Sequence, residues 1–91
     1  MNEKKIKLAH PIKTATQLLT ELTMRRPKVR DRLAVDKAFT NDGEREINML
    51  ANLCSVTPDD IAEMDLADYV TLQREFQDFL TPTPAQSGKA S

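Results

Sequence analysis

Near the N-terminus the chain alternates between apolar and polar residues. In KKIKLAHPI, residues 4–12, Ile6, Leu8 and Ile12 share one parity with His10, and Lys5, Lys7 and Lys13 take the other. A period of two marks a strand with one buried face. Pro11 has no N–H to offer a neighbouring strand, so it confines this one to an edge or ends it there. The connection KTAT is polar and lacks glycine, which argues against a tight primed turn. QLLTELTM then alternates as a second strand with Leu18, Leu22 and Met24 on one face. It equally begins a helix through Leu18, Leu19 and Leu22, which leaves residues 14–24 open between helix and strand. The β-branched threonines and the strand upstream favour a hairpin.

Beyond residue 26 the period changes to that of a helix. Pro27 suits the first position of a helix running to about Ala38, whose thin apolar content is Val29, Leu33, Ala34 and Val35. After FTND, Asn41 and Glu44 form a capping box for a helix from about Asp42 to Cys54, with Ile47, Leu50, Ala51, Leu53 and Cys54 as its stripe. Thr57 caps a short third helix with Pro58 first and Asp59 and Asp60 in its first turn, where the helix dipole favours acids. Ile61 and Met64 anchor that turn. Asp65 opens the last helix, to Leu80, with Asp68 completing an acidic capping box. At about 100° per residue, Leu66, Tyr69, Val70, Leu72, Phe76, Phe79 and Leu80 share one broad side, leaving Asp68, Thr71, Arg74, Glu75 and Asp78 on the other. The segment TPTPAQSGKAS that follows has no large apolar residue and reads as a disordered tail. The expected fold is α+β and mostly helical: an N-terminal β-hairpin and three to four helices in one domain, residues 1–80, then the tail, 81–91.

Ninety-one residues bury a small core, so self-association would add stability. No apolar run reaches the roughly 18 residues of a membrane span, and the N-terminus lacks the apolar stretch of a signal peptide. A cytosolic protein is expected. The net charge of −1 conceals an asymmetry: residues 1–37 carry ten Lys/Arg against four acids, and the remainder carries three against ten. Such a split is absorbed by the halves packing on each other, or by one protomer docking onto the next, or it advertises a charged partner.

Little in the chain supports bond-making chemistry. His10 is the only histidine and Cys54 the only cysteine, which leaves no His-based metal site, dyad or internal disulfide. Cys54, among Leu50 and Leu53, reads as a small buried hydrophobe. The carboxylates Asp59, Asp60, Glu63, Asp65 and Asp68 lack the glycine and spacing of a calcium loop and read as a solvated face. Gly43 and Gly88 are too isolated to build a phosphate loop. No cofactor, metal or enzymatic activity is expected.

The run RRPKVRDR, Arg25–Arg32, invites a nucleic-acid reading, but no aromatic is interleaved for stacking and the sequence pI is near 5.8. LANLCSVTPDDIAEMDL has the outline of a helix-turn-helix. Its second helix begins with acids that phosphates would repel, so plain helix packing explains it better. The apolar side of the last helix is wider than one neighbouring helix covers, so an edge is left over for a partner. This describes a binding module.

The order LTMRRPKVRD … EREINMLANLCSVTPDDIAEMDLADYVTLQREFQDFL resembles the tail assembly chaperone family of Mu-like, contractile-tailed bacteriophages and prophages. Leu8 and Pro11 match its lysine-rich first strand. Leu22, Arg25, Pro27 and Asp31 fall on its L-x-x-R-x-P-x-x-x-D segment. Glu46, Leu50, Leu53 and Ile61 match the central part, and Leu66, Asp68, Tyr69, Leu72, Phe79 and Leu80 the last, so that about residues 6–80 are covered. The chain departs from the family in lacking a glycine between its two strands. The resemblance implies a non-enzymatic chaperone of the infected or lysogenic bacterial cytoplasm, absent from the mature virion. It would bind the tape measure protein and assist tail tube assembly, beside a longer frameshifted form of itself. On this reading Tyr69, Leu72, Phe76 and Phe79 contact the client, and Arg25, Arg26, Lys28 and Arg32 meet acids of the client or of a neighbouring copy. The alternatives are a small nucleic-acid-binding regulator using residues 25–32, and a structural component of the virion.

Overall fold

The alternation of Ile6, Leu8 and Ile12 is realised in a strand, β1 (Glu3–Lys13), paired antiparallel with β2 (Leu18–Arg25). Four helices follow: α1 (Val29–Ala38), α2 (Asp42–Cys54), α3 (Pro58–Ala62) and α4 (Leu66–Leu80). The computed structural model describes residues 3–81; the expected disordered tail therefore lies, beyond Thr81, outside the described residues. The hairpin and the helices are as expected, and residues 18–25 take the strand alternative. Thr14 does the work of the missing glycine. Its N–H donates to the Gln17 carbonyl (2.8 Å), and its hydroxyl oxygen accepts from the Gln17 N–H (3.1 Å), closing the loop without a left-handed residue.

The hairpin ladder is broken in the middle. Pairing runs from Glu3↔Arg25 to Lys7↔Glu21 and resumes at Ile12↔Leu19, so five steps along β1 face two along β2. Pro11 falls inside this break, where its missing N–H costs no ladder bond. Because one of these step counts is odd and the other even, the parity of β2 that faces the core changes across the break. Leu22 and Met24 point into the core, while past the break Leu19 packs against it and Leu18 is exposed. The expectation that Leu18 shares the face of Leu22 and Met24 is thus corrected by the irregularity between them.

The break frees the N–H groups of Ala9 and His10. Both donate to one carboxylate: Ala9 to Oδ1 (3.0 Å) and His10 to Oδ2 (2.8 Å) of Asp68 on α4. Asp68 is buried. This corrects its assignment to the polar side of the helix and to a capping box, for Asp65 caps α4 alone, accepting from the Ala67 N–H (2.9 Å). The boundary of α1 also shifts: Lys28 is its N-cap, so Pro27 precedes the helix. Asn41 caps α2 by accepting from the Glu44 N–H (3.1 Å). Thr57 and Asp60 form a reciprocal box at α3. Ser55 ends α2 in the left-handed conformation (φ 57°) that glycine usually supplies.

The core lies between one face of the hairpin and the helices. Ile6, Leu8, Ile12, Leu22 and Met24 come from the strands, and Met49, Leu50, Ala51, Leu53 and Cys54 from α2. Val35, Ile61, Met64, Leu72 and Phe79 close it. α2 is the central helix, packed against α1, α3 and β2, while α4 lies against β1. Cys54 is the buried hydrophobe expected, and burial pushes its thiol up to about 11. Among the described residues no helix is long and apolar enough to cross a membrane.

Asp68→Ala strands two backbone donors inside the fold and is expected to lower unfolding stability by about 2–4 kcal/mol. Asp68→Asn keeps one acceptor and falls between it and the wild type. Urea titration of the three proteins measures this. A loss for Asp68→Ala below about 0.5 kcal/mol, the range of an ordinary surface change, would remove Asp68 as the link between β1 and α4.

Candidate functional site

Successive 100° steps sort the residues of α4 into three sectors. Asp68, Leu72 and Phe79 form the sector turned to the core, and all three are buried. Tyr69 and Phe76 lie next to it, half-buried and packed on the core's edge. Leu66, Val70, Gln73, Gln77 and Leu80 form the third sector, within about 40° of a common line. Its three apolar members face solvent, Leu66 at 73% and Leu80 at 55% exposure. The broad side read from the sequence therefore divides lengthwise into a sealed half and an open one.

Two groups hold this rotation. The Asp68 carboxylate ties one turn of α4 to the break in β1. On the opposite flank Glu46 of α2 accepts from the Tyr69 hydroxyl and from Gln73 Nε2 (2.9 Å). Burial first, and the Glu46 hydrogen bond second, hold the Tyr69 hydroxyl well above the ordinary tyrosine value, so it stays a proton donor. Near the C-terminal end of α4, Lys4 pairs with Glu75 (3.2 Å) and lies over the Phe79 ring (4.8 Å).

Of the four residues expected to meet a client, Tyr69 and Phe76 border the open sector, whereas Leu72 and Phe79 lie in the core. Phe76 also joins Val35, Met49 and Leu50 in lining a groove of about 220 Å³, which is rimmed by Arg32, Asp36, Arg45 and Glu46. Sequence reasoning passed over Leu66, Val70 and Leu80 as contact residues although it placed them on the apolar side. Their angular offset from Leu72 was the signal. On α1 the same sorting leaves Val29 and Leu33 exposed and turns Asp31 and Val35 inward.

The four basic candidates fall in two places. Arg25, Arg26 and Lys28, with Arg30, Glu3, Pro27 and Asp31, line an open concavity of about 700 Å³ where the hairpin meets α1. Arg32 lies apart, paired with Asp36 (3.0 Å) at the rim of the Phe76 groove. Within the concavity Arg25 is committed: its guanidinium grips the buried Asp31 carboxylate through both nitrogens, at 2.7 and 2.9 Å. Asp31 also accepts from the Lys28 N–H (2.8 Å), fixing the first turn of α1 to the end of β2. The Arg25 hydrogen bonds, aided by that N–H and by the charges of Arg25 and Arg30, hold the Asp31 carboxyl below the usual carboxylate range against the opposing effect of burial. The basic face that the alternative nucleic-acid reading needs is thus interrupted by two carboxylates, Glu3 and Asp31, and the aromatic ring beside it, Phe79, is covered by Lys4 and Arg26.

The hairpin and its helices thus carry an outward apolar stripe and a basic concavity. The family described as phage tail assembly chaperone proteins, E, or 41 or 14, matches residues 5–81. The chain belongs to this family. No curated protein and no solved structure matches it. A tail assembly chaperone acts on other proteins of the phage tail.

The Arg25–Asp31 pair gives this tail assembly chaperone a defined acid limb. Asp31 has a lower pKa folded than unfolded, so the unfolded chain takes up the proton first as pH falls. Its contribution is complete above about pH 4, the ordinary carboxylate value, and is lost as pH drops through the folded value. Because the Arg25 side chain is 42% exposed, solvent screens the pair and the contribution is about 1 kcal/mol. Asp31→Asn is expected to be less stable than wild type by that amount at pH 7 in urea, and the difference should shrink toward zero near pH 2. A constant difference across the range would contradict this.

Proposed function

We propose that this tail assembly chaperone binds the tape measure protein through the open sector of α4 and holds it soluble while the tail tube assembles around it. The role is non-enzymatic and belongs to the cytoplasm of the bacterial host, before the virion is complete. The observation that carries this reading is the outward line of Leu66, Val70 and Leu80 on a helix whose inner face is already committed to the core.

Physical chemistry supports it in three ways. The line follows the spacing i, i+4, i+7, i+11, i+14, the seam along which one helix receives another. A tape measure protein is a long helical rod whose apolar stripes would aggregate if left bare, and such a stripe fits this seam. Gln73 and Gln77 occupy the middle of the seam, so the contact carries apolar anchors at its ends and a polar centre. A polar centre weakens the grip, which suits a chaperone that has to let go when the tube takes over. Tyr69 and Phe76 widen the seam on one side, toward the groove floored by Val35, Met49 and Leu50.

The test is capture of co-expressed tape measure protein by the tagged chaperone. Replacing Leu66, Val70 and Leu80 together by serine leaves the core untouched and is expected to reduce capture about tenfold or more. The double change Tyr69→Ala with Phe76→Ala is expected to reduce it as well, with circular dichroism confirming that both variants stay folded. Undiminished capture by a folded triple variant would remove the open sector of α4 as the client's seat.

A further inference from the structure

The asymmetry of charge along the chain is not consumed inside the fold. Among the described residues, the only cation of residues 1–37 that pairs with a carboxylate of residues 42–81, His10 aside, is Lys4, which meets Glu75 and Asp78. Arg25 and Arg32 are taken up locally by Asp31 and Asp36. Lys28 and Arg30 make no ion pair among the described residues; both are exposed and, with Arg26, line the 700 Å³ concavity. Asp59 and Glu63 likewise make none, and both are exposed. They are four residues apart across α3, so they share one side of that turn.

The two sets lie at opposite ends of α4. Arg26 sits 5.6 Å over the ring of Phe79, in the last turn, which puts the concavity at the C-terminal end. Glu63 stands two residues before Asp65, the N-cap. Fifteen helical residues separate those ends by on the order of 20 Å. No side chain spans that distance, so the acidic corner of a molecule cannot fill its own concavity.

We propose that the basic concavity receives the acidic corner of a second copy, Lys28 and Arg30 of one chain meeting Asp59 and Glu63 of the next. The contact is head to tail: donor and acceptor surfaces differ, so a pair leaves one concavity and one acidic corner free and the association extends beyond two copies rather than closing as a twofold dimer. A carboxylate partner fits better than a phosphate backbone. Glu3 and Asp31 in the wall repel a polyanion, no open ring is present for base stacking, and the whole chain is net negative. A second copy also brings the complementary acids in equal number. The inference is independent of the tape measure reading, because it concerns the chaperone alone.

The experiment is sedimentation velocity on the full chain at high concentration. Mass is expected above the 10.3 kDa of one chain in about 20 mM salt, and to fall back toward it near 300 mM, as screening shortens the reach of exposed charges. Lys28→Glu with Arg30→Glu should abolish the association, and so should Asp59→Lys with Glu63→Lys. An equimolar mixture of the two variants should restore it, because each supplies the face the other needs. Glu63→Lys alone serves as the milder acidic-side variant if the double change unfolds the chain. A monomer at low salt, association that survives either reversal, or a mixture that stays monomeric would overturn the proposal. Binding of a single-stranded oligonucleotide lost only in the Lys28/Arg30 variant, without self-association of the wild type, would overturn it too, by assigning the concavity to nucleic acid.

Discussion

One carboxylate settles which way the last helix faces. Where the β1–β2 ladder breaks, the N–H groups of Ala9 and His10 have no partner strand, and Asp68 satisfies both. A buried carboxylate with two donors is a directional lock, since rotating α4 by one residue would carry Asp68 about 100° away and orphan all three groups. With Asp68 turned inward, Leu72 and Phe79 must follow it into the core, and Leu66, Val70 and Leu80 must face out. The exposed apolar line is therefore a consequence of how the hairpin is satisfied, and not a failure of the core to cover it. Glu46 completes the arrangement from the other flank by holding Tyr69 and Gln73.

The same logic governs α1. The forked contact of Arg25 with Asp31 sets the rotation of a helix whose own apolar content is slight, drawing Asp31 and Val35 in and leaving Val29 and Leu33 in solvent. Each outer helix thus has a buried aspartate that fixes its rotation alongside its buried apolar residues. A small domain that exposes this much aliphatic surface gives up core stability and gains a place to hold something else. The chain belongs to the tail assembly chaperone family, and we propose that this surface is where it holds a protein of the tail.

Much of this was legible in the sequence. Alternation in KKIKLAHPI, the caps at Asn41 and Thr57 and the stripe of α2 all announce themselves, because strand pleat and helix termini impose local rules. What was not legible depends on partners far along the chain. Asp68 reads as surface because acids usually are, and its partners lie 58 and 59 residues away. Leu18 reads as core because alternation predicts it; the break that turns it out is a property of the pairing, not of either strand. The candidate site divides likewise. The width of the apolar side of α4 was visible, but which half would be sealed was decided by Asp68, and so Leu72 and Phe79 were grouped with Tyr69 and Phe76. The basic run looked continuous in sequence, and the buried pairing of Asp31 separates Arg32 from the rest.

We propose that the outward line of α4 lends apolar surface to a tail protein while the core stays closed. Methyl NMR of the chaperone during titration with a helical segment of the tape measure protein addresses it most directly. The methyl signals of Leu66, Val70 and Leu80 are expected to shift and saturate together while those of Leu50, Leu53 and Leu72 hold still. Shifts confined to the core leucines, or none at all with a segment that otherwise engages the chaperone, would contradict it.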